Sequence, residues 1–305
     1  MRRNLLLVLA GALVFLVGAI HADPPFHFSS IDVPGAIATN AQGINAEGDI
    51  VGIYADTAGK QHGFLLRDGR FETIDFPGAT LTNARGISPD GDIVGSYSTS
   101  VGTQPPASIH GFLLRLGNYS EVQFPGHLGT IAQRITPTGD ILGCLHDTDL
   151  MGTMSGFMRT EGDYSSIPGI PASMNNGATP DGNHVVGLYT DMMTGVSHGY
   201  TIDFGIMTSF DVPGSIATNG WDINPERDIV GVFVDANKVT HGFLRSTGED
   251  RSDGSLSLQS DGNYTTIDYP GATATRAFGI NPEREIVGAY VDSANKTHGF
   301  LLSRR

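Results

Sequence analysis

Phe71–Leu114 reads FETIDFPGATLTNARGISPDGDIVGSYSTSVGTQPPASIHGFLL, and Tyr264–Leu302 reads YTTIDYPGATATRAFGINPEREIVGAYVDSANKTHGFLL. The two stretches open, turn and close on the same residues. Further copies begin near Phe26, Tyr119, Tyr164 and Met207, so six units of about 45 residues fill positions 23–305. Only the fifth link is stretched, by an insertion from Ser246 to Gly262.

Each unit reads as four short strands. In the second copy they are Phe71 to Phe76, Ala84 to Ser88, Asp92 to Tyr97 and His110 to Leu114. The third is apolar on both faces, as a strand sandwiched between neighbouring sheets must be. Four-stranded units of this length have the dimensions of a propeller blade, whereas solenoid coils are shorter. Asp68-Gly69 between two apolar runs marks a two-residue hairpin, so strand four of one unit pairs with strand one of the next. The longest regular connector, Pro77 to Asn83, then crosses from the rim of one blade to the inner strand of the following one. The expected fold is an all-β six-bladed propeller. An unpaired first strand, Phe28 to Val33, and an unpaired last strand, His298 to Leu302, would close the ring on each other and remove two sheet edges.

Composition supports this class. Forty-one glycines and sixteen prolines without a collagen period suit short strands and tight turns. Arg2 and Arg3, an apolar run from Leu5 to Ile20, and Ala19 and Ala22 at cleavage distance predict a signal peptide over residues 1–22. A secreted or periplasmic protein without a membrane anchor after cleavage is expected. The chain carries 18 basic against 32 acidic side chains, a formal charge of −14, which repels phosphate backbones and argues against nucleic acid as a partner. Cys144 is the only cysteine, so no disulfide can form within the chain.

A second repeated motif is His-Gly-Phe, at His62, His110, His241 and His298, with His198 followed by Gly-Tyr. With the export signal and the Ile-Val-Gly repeats, the mature chain resembles the HAF family of probable extracellular repeats, with glycine where that family's name has alanine. The resemblance implies an exported repeat protein and carries no catalytic residues with it.

Register gives these histidines a role. If Asp68-Gly69 is the hairpin centre, His62 lies opposite Asp75, and the same spacing sets His198 against Asp211. His241 and Asp268 are the equivalent pair across the insertion, and ring closure sets His298 against Asp32. His110 faces Gln123, and Ser155 faces Pro168. Repetition around the ring favours a structural latch over a catalytic dyad, and this likeness to the His/Asp network of WD40 propellers is confined to that one feature. Asp56, Asp147, Asp191, Asp235 and Asp292 read as turn formers that bond their own backbone.

Sites in a repeat ring lie where copies differ. His146, Asp147 and Asp149 in the third unit, and Trp221, are the candidate ligand-face residues. Seven of the eight methionines fall in the same third of the chain and read as packing residues. No nucleophile elbow, zinc motif, phosphate loop or complete calcium loop occurs, so no cofactor or metal is expected. The expected function is that of a monomeric binding module for a glycan or a protein, on the face of the connectors and third hairpins. The alternative is a carbohydrate-active hydrolase or lyase with acidic residues in the central funnel. Convergence there of His146, Asp147 and Asp149 with a further carboxylate would favour the enzyme.

Overall fold

A computed structural model describes residues 26–100, 108–147, 154–167, 170–246 and 263–304. The expected signal peptide, most of the insertion, Asp149 and Pro168 lie outside the described residues. Among the described residues, 24 strands form six antiparallel sheets of four, arranged in a ring as a six-bladed β-propeller.

Blade 1 is made of β2 (Ala38–Ile44), β3 (Ile50–Ala55), β4 (Gln61–Arg67) and β5 (Arg70–Ile74), from axis to rim. The turn joining β4 to β5 places Asp68 at φ 50° and Gly69 at φ 73°, the double left-handed conformation that a two-residue hairpin demands. The ring closes where β1 (His27–Ile31) joins the sheet of β22 (Ala274–Ile280), β23 (Ile286–Val291) and β24 (Thr297–Ser303). Its register runs from His27 opposite Ser303 to Ile31 opposite Gly299.

The two repeated motifs explain each other. Gly52 of Ile-Val-Gly pairs with Phe64 of His-Gly-Phe, and a Cβ on Gly52 would stand 2.6 Å from the Phe64 ring and 2.2 Å from the Asn40 carbonyl oxygen. Glycine is required because the phenyl ring lies flat over that strand. The corresponding Phe112, Phe157, Tyr200, Phe243 and Phe300 are likewise fully buried. The middle glycine of the motif, Gly63, approaches the inner strand of the next blade, where a Cβ would meet Ala84 at 3.1 Å. One motif thus packs a blade internally and docks it on its neighbour.

Connectors are pinned by threonine. The hydroxyl of Thr39 accepts the amide N–H of Val33 at 3.1 Å, and Thr82, Thr130, Thr218 and Thr275 repeat this contact with Phe76, Phe124, Val212 and Tyr269. A buried hydroxyl so placed satisfies the backbone where the chain leaves one sheet and enters the next.

Candidate functional site

The inner strands decide what lines the axis. Each carries a β-bulge, which in β2 falls between Ala41 and Gly43 and makes Gln42 the extra residue. The extra residues of the other inner strands are Arg85, Gln133, Asn176, Trp221 and Phe278. The residue just after the bulge is glycine in four blades, at Gly43, Gly86, Gly177 and Gly279. A Cβ on Gly43 would stand 2.7 Å from the Arg85 carbonyl oxygen of the next blade. Two blades depart from glycine there, with Arg134 and Asp222.

These two side chains meet across the channel. Arg134 Nε lies 3.1 Å from Asp222 Oδ2, and both residues are buried. The Arg134 guanidinium also donates to the carbonyl oxygens of Arg85 at 2.6 Å and Gln42 at 2.8 Å, and to that of Phe278. Asp222 in turn accepts the amide N–H groups of Ile223 at 3.0 Å and Ile280 at 3.2 Å. One ion pair therefore ties five of the six blades together and closes the channel. Burial pushes the Asp222 carboxyl above its usual range, while Arg134 opposes that shift.

Below this plug, on the face of the turns between second and third strands, lies a funnel with a cavity of about 100 Å³. Its walls are Ile44, Ile87, Ile135, Ile223 and Ile280, its rim is a ring of prolines, and its floor is Arg134 with Asp222. Asparagines knit the rim: Asn224 donates to the Asn281 carbonyl at 3.5 Å, Asn281 to that of Asn45 at 3.2 Å, and Asn45 to that of Ser88 at 3.2 Å. An apolar concavity with a few fixed polar groups at its base is the usual form of a small-ligand site. It opens on the face opposite to the one expected, because the residues that break the repeat sit past the bulge, at the turn end of the inner strands.

On the connector face the histidines stand beside carboxylates. Nδ1 of His62 is 2.8 Å from Asp75, that of His198 2.9 Å from Asp211, that of His241 2.8 Å from Asp268 and that of His298 2.8 Å from Asp32. Three of these rings reach a second carboxylate through Nε2: Asp56 at 3.5 Å, Asp235 at 3.8 Å and Asp292 at 3.3 Å. An aromatic ring stacks on each histidine, Tyr54 on His62 at 5.0 Å among them. His110 faces Gln123, whose Oε1 lies 3.4 Å from its Nδ1, and Glu121 reaches the same nitrogen at 3.1 Å. Ser155 bonds Ser166.

Four of the turn aspartates bind their own backbone. Asp56 accepts the amides of Ala58 and Lys60, and the latter bond most of all holds its carboxyl below the usual range. Asp191, Asp235 and Asp292 are lowered in the same way, first by the amides of Met193, Val239 and Lys296. The Asp147 carboxylate, whose own turn lies outside the described residues, accepts from His127 Nδ1 at 3.0 Å.

Of the candidate ligand-face residues, His146, Asp147 and Trp221 are described, and these three stand apart. His146 is 2% exposed and its Nε2 lies 3.1 Å from Cys144 Sγ. Burial pushes the Cys144 thiol up to about 12, so it is an inert packing group. Asp147 belongs to the connector face of blade 3, and Trp221 packs edge-on against Phe278 of blade 6, ring centroids 4.9 Å apart. Arg134 and Asp222 were missed because they occupy a glycine position of the repeat, and that departure was the available signal.

No family model matches the sequence, and no curated protein matches it. Solved structures of the same fold do. TolB from Acinetobacter baumannii matches with TM-score 0.55 and 14% identity, over 84% of this chain and 64% of that one. A putative TolB from Agrobacterium tumefaciens gives 0.53 and 14%, over 84% and 79%. A gluconolactonase from Xanthomonas campestris gives 0.51 and 12%, over 88% of each chain. At these identities the likeness extends to the fold alone.

Proposed function

We propose that this protein is an exported binding propeller that takes a small ligand, or the end of a glycan or protein chain, into the proline-rimmed funnel. The observation that carries this reading is the break in repeat symmetry at the funnel floor, where Arg134 and Asp222 replace glycine. A closed ring can be stabilised by six equal blades, so a unique polar floor under apolar walls has recognition as its natural use. Among the described residues Asp222 is the one carboxylate lining the funnel. Its engagement with Arg134 favours binding over the alternative of a carbohydrate-active hydrolase, which ordinarily needs two carboxylates free to act. Export rests on the N-terminal sequence. Membership of the HAF-type repeats rests on the His-Gly-Phe and Ile-Val-Gly motifs.

A glycan array probed with the mature protein and with Pro225→Trp tests the site. Pro225 is exposed at the funnel rim, so the indole would obstruct the mouth without entering the core. The expected result is retention of a glycan by the parent and its loss in the variant at unchanged melting temperature. Equal retention by both would place binding elsewhere, and cleavage of the retained glycan would favour the enzyme.

A further inference from the structure

The funnel wall is uneven. Five blades place an isoleucine beside the floor, at Ile44, Ile87, Ile135, Ile223 and Ile280, and all five are buried. Blade 4 has Ala178 there, which is shorter and half-buried. This blade also stands between the two that supply the plug, blade 3 with Arg134 and blade 5 with Asp222. Asp222 Oδ1 lies over it, since a Cβ on Gly177 would stand 2.6 Å from that oxygen. The low stretch of wall therefore adjoins a carboxylate oxygen.

Hydrogen bonding at the floor leaves one kind of vacancy. All five donors of the Arg134 guanidinium are spent, Nε on Asp222 and the two terminal nitrogens on the carbonyl oxygens of Arg85, Gln133, Gln42 and Phe278. An anion finds no free donor there. Asp222 keeps capacity: Oδ2 takes Arg134 Nε and the Ile280 amide, whereas among the described residues Oδ1 takes the Ile223 amide alone, and a carboxylate oxygen accepts two bonds. The floor thus offers an acceptor whose charge is already balanced. A cation or an anion would shed its water against isoleucine and proline for no net counter-charge. The ring of a sugar would leave most of its hydroxyls unpaired, and an amide would bring a carbonyl for which Arg134 has no donor left. Size narrows the choice further. The cavity of about 100 Å³ is smaller than the roughly 150 Å³ that encloses benzene, which leaves room for about five heavy atoms.

We propose that the group entering the funnel is a short, uncharged aliphatic alcohol, its chain against the isoleucines and its hydroxyl donating to Asp222 Oδ1 beside Ala178, an assignment that rests on the funnel being the ligand site. The same group can arrive as a free alcohol or as the end of a glycan.

The test is a nuclear magnetic resonance titration of residues 23–305, labelled at the isoleucine methyls, with isobutanol, isobutylammonium and isobutyrate near neutral pH. The three share a carbon skeleton and differ in the charge of the tip. Saturable shifts of the wall methyls are expected with isobutanol, with affinity weaker by about tenfold or more for either ion. Ala178→Ile restores the residue of the other five blades and fills the low stretch, so isobutanol should bind it about tenfold more weakly at an undiminished melting temperature. Should that variant fail to fold, the comparison of the three tips in the parent decides. Isobutanol that displaces a glycan retained on the array identifies the group as a glycan's end, and binding without displacement identifies a free alcohol. Equal or tighter binding of either ion, equal binding of isobutanol by a folded Ala178→Ile, or no saturable shift with isobutanol would overturn the assignment. A glycan held by the parent and lost in Pro225→Trp, with no response to isobutanol, would overturn the alcohol and leave the funnel as the site.

Discussion

His-Gly-Phe concentrates three separate jobs in three consecutive residues. In blade 1 His62 reaches the rim carboxylates, Gly63 lets the blade approach Ala84 of its neighbour, and Phe64 covers Gly52. Truncating a fully buried phenyl ring leaves a cavity, so Phe112→Ala should lower stability by about 3–5 kcal/mol in chemical denaturation. Gly52→Ala should cost about 1–3 kcal/mol, because the Cβ collides with the Asn40 carbonyl as well as with Phe64. Titration belongs to this scale too. The carboxyls of Asp56, Asp191, Asp235 and Asp292 are lowered on folding, and that of Asp181 is lowered to about 2 by Thr179 and Asn183. A lowered folded value means the contribution is present above the unfolded value of about 3.9 and disappears as pH falls through the folded one. The melting temperature should therefore hold down to about pH 4 and fall steadily towards pH 2. Asp292→Asn keeps the acceptor for the Lys296 amide and removes the titration, so its fall should be shallower. A melting temperature indifferent to acid over this range would contradict the assignment.

At the scale of hairpins, the sequence was legible wherever a turn fixed the register. The Asp68-Gly69 turn set which strands share a blade and which residue stands opposite His62. A double-mutant cycle on His62→Ala and Asp75→Ala should give a coupling of about 0.5 kcal/mol or more, whereas His62→Ala with Asp211→Ala, in separate blades, should be additive. Additive effects within the first pair would mean that the contact latches nothing. His110 was legible only in part, because strand register names the residue directly opposite, Gln123, and cannot see that the Glu121 side chain, charged and diagonal to it, reaches the same imidazole. The inner strands were the least legible. Their bulges shift side chains off the simple alternation, so the positions of Arg134 and Asp222 on the axis could not be read from period-two patterning. Trp221, one residue before Asp222, drew attention to the right strand for a reason unrelated to the plug.

For the whole molecule, closure is the property on which the funnel depends. The funnel walls come from all six blades, and Arg134 spans from blade 3 to blades 5 and 6, so the axis exists only while the ring is shut. Repetition made this closure legible, since each end of the chain supplies a strand that the other lacks. β1 contributes Phe28, whose ring packs edge-on at 5.1 Å from Tyr269 and 5.4 Å from Phe300, and Ile31, which is buried. Its loss would expose the edge of β24 and unpack the contact between blades 6 and 1. The most direct measurement is the thermal melting of residues 23–305 against the same chain lacking residues 26–33. The account predicts a markedly lower melting temperature and a tendency to self-associate through the bared strand. A deletion variant that melts with the parent and stays monomeric would contradict the closed ring.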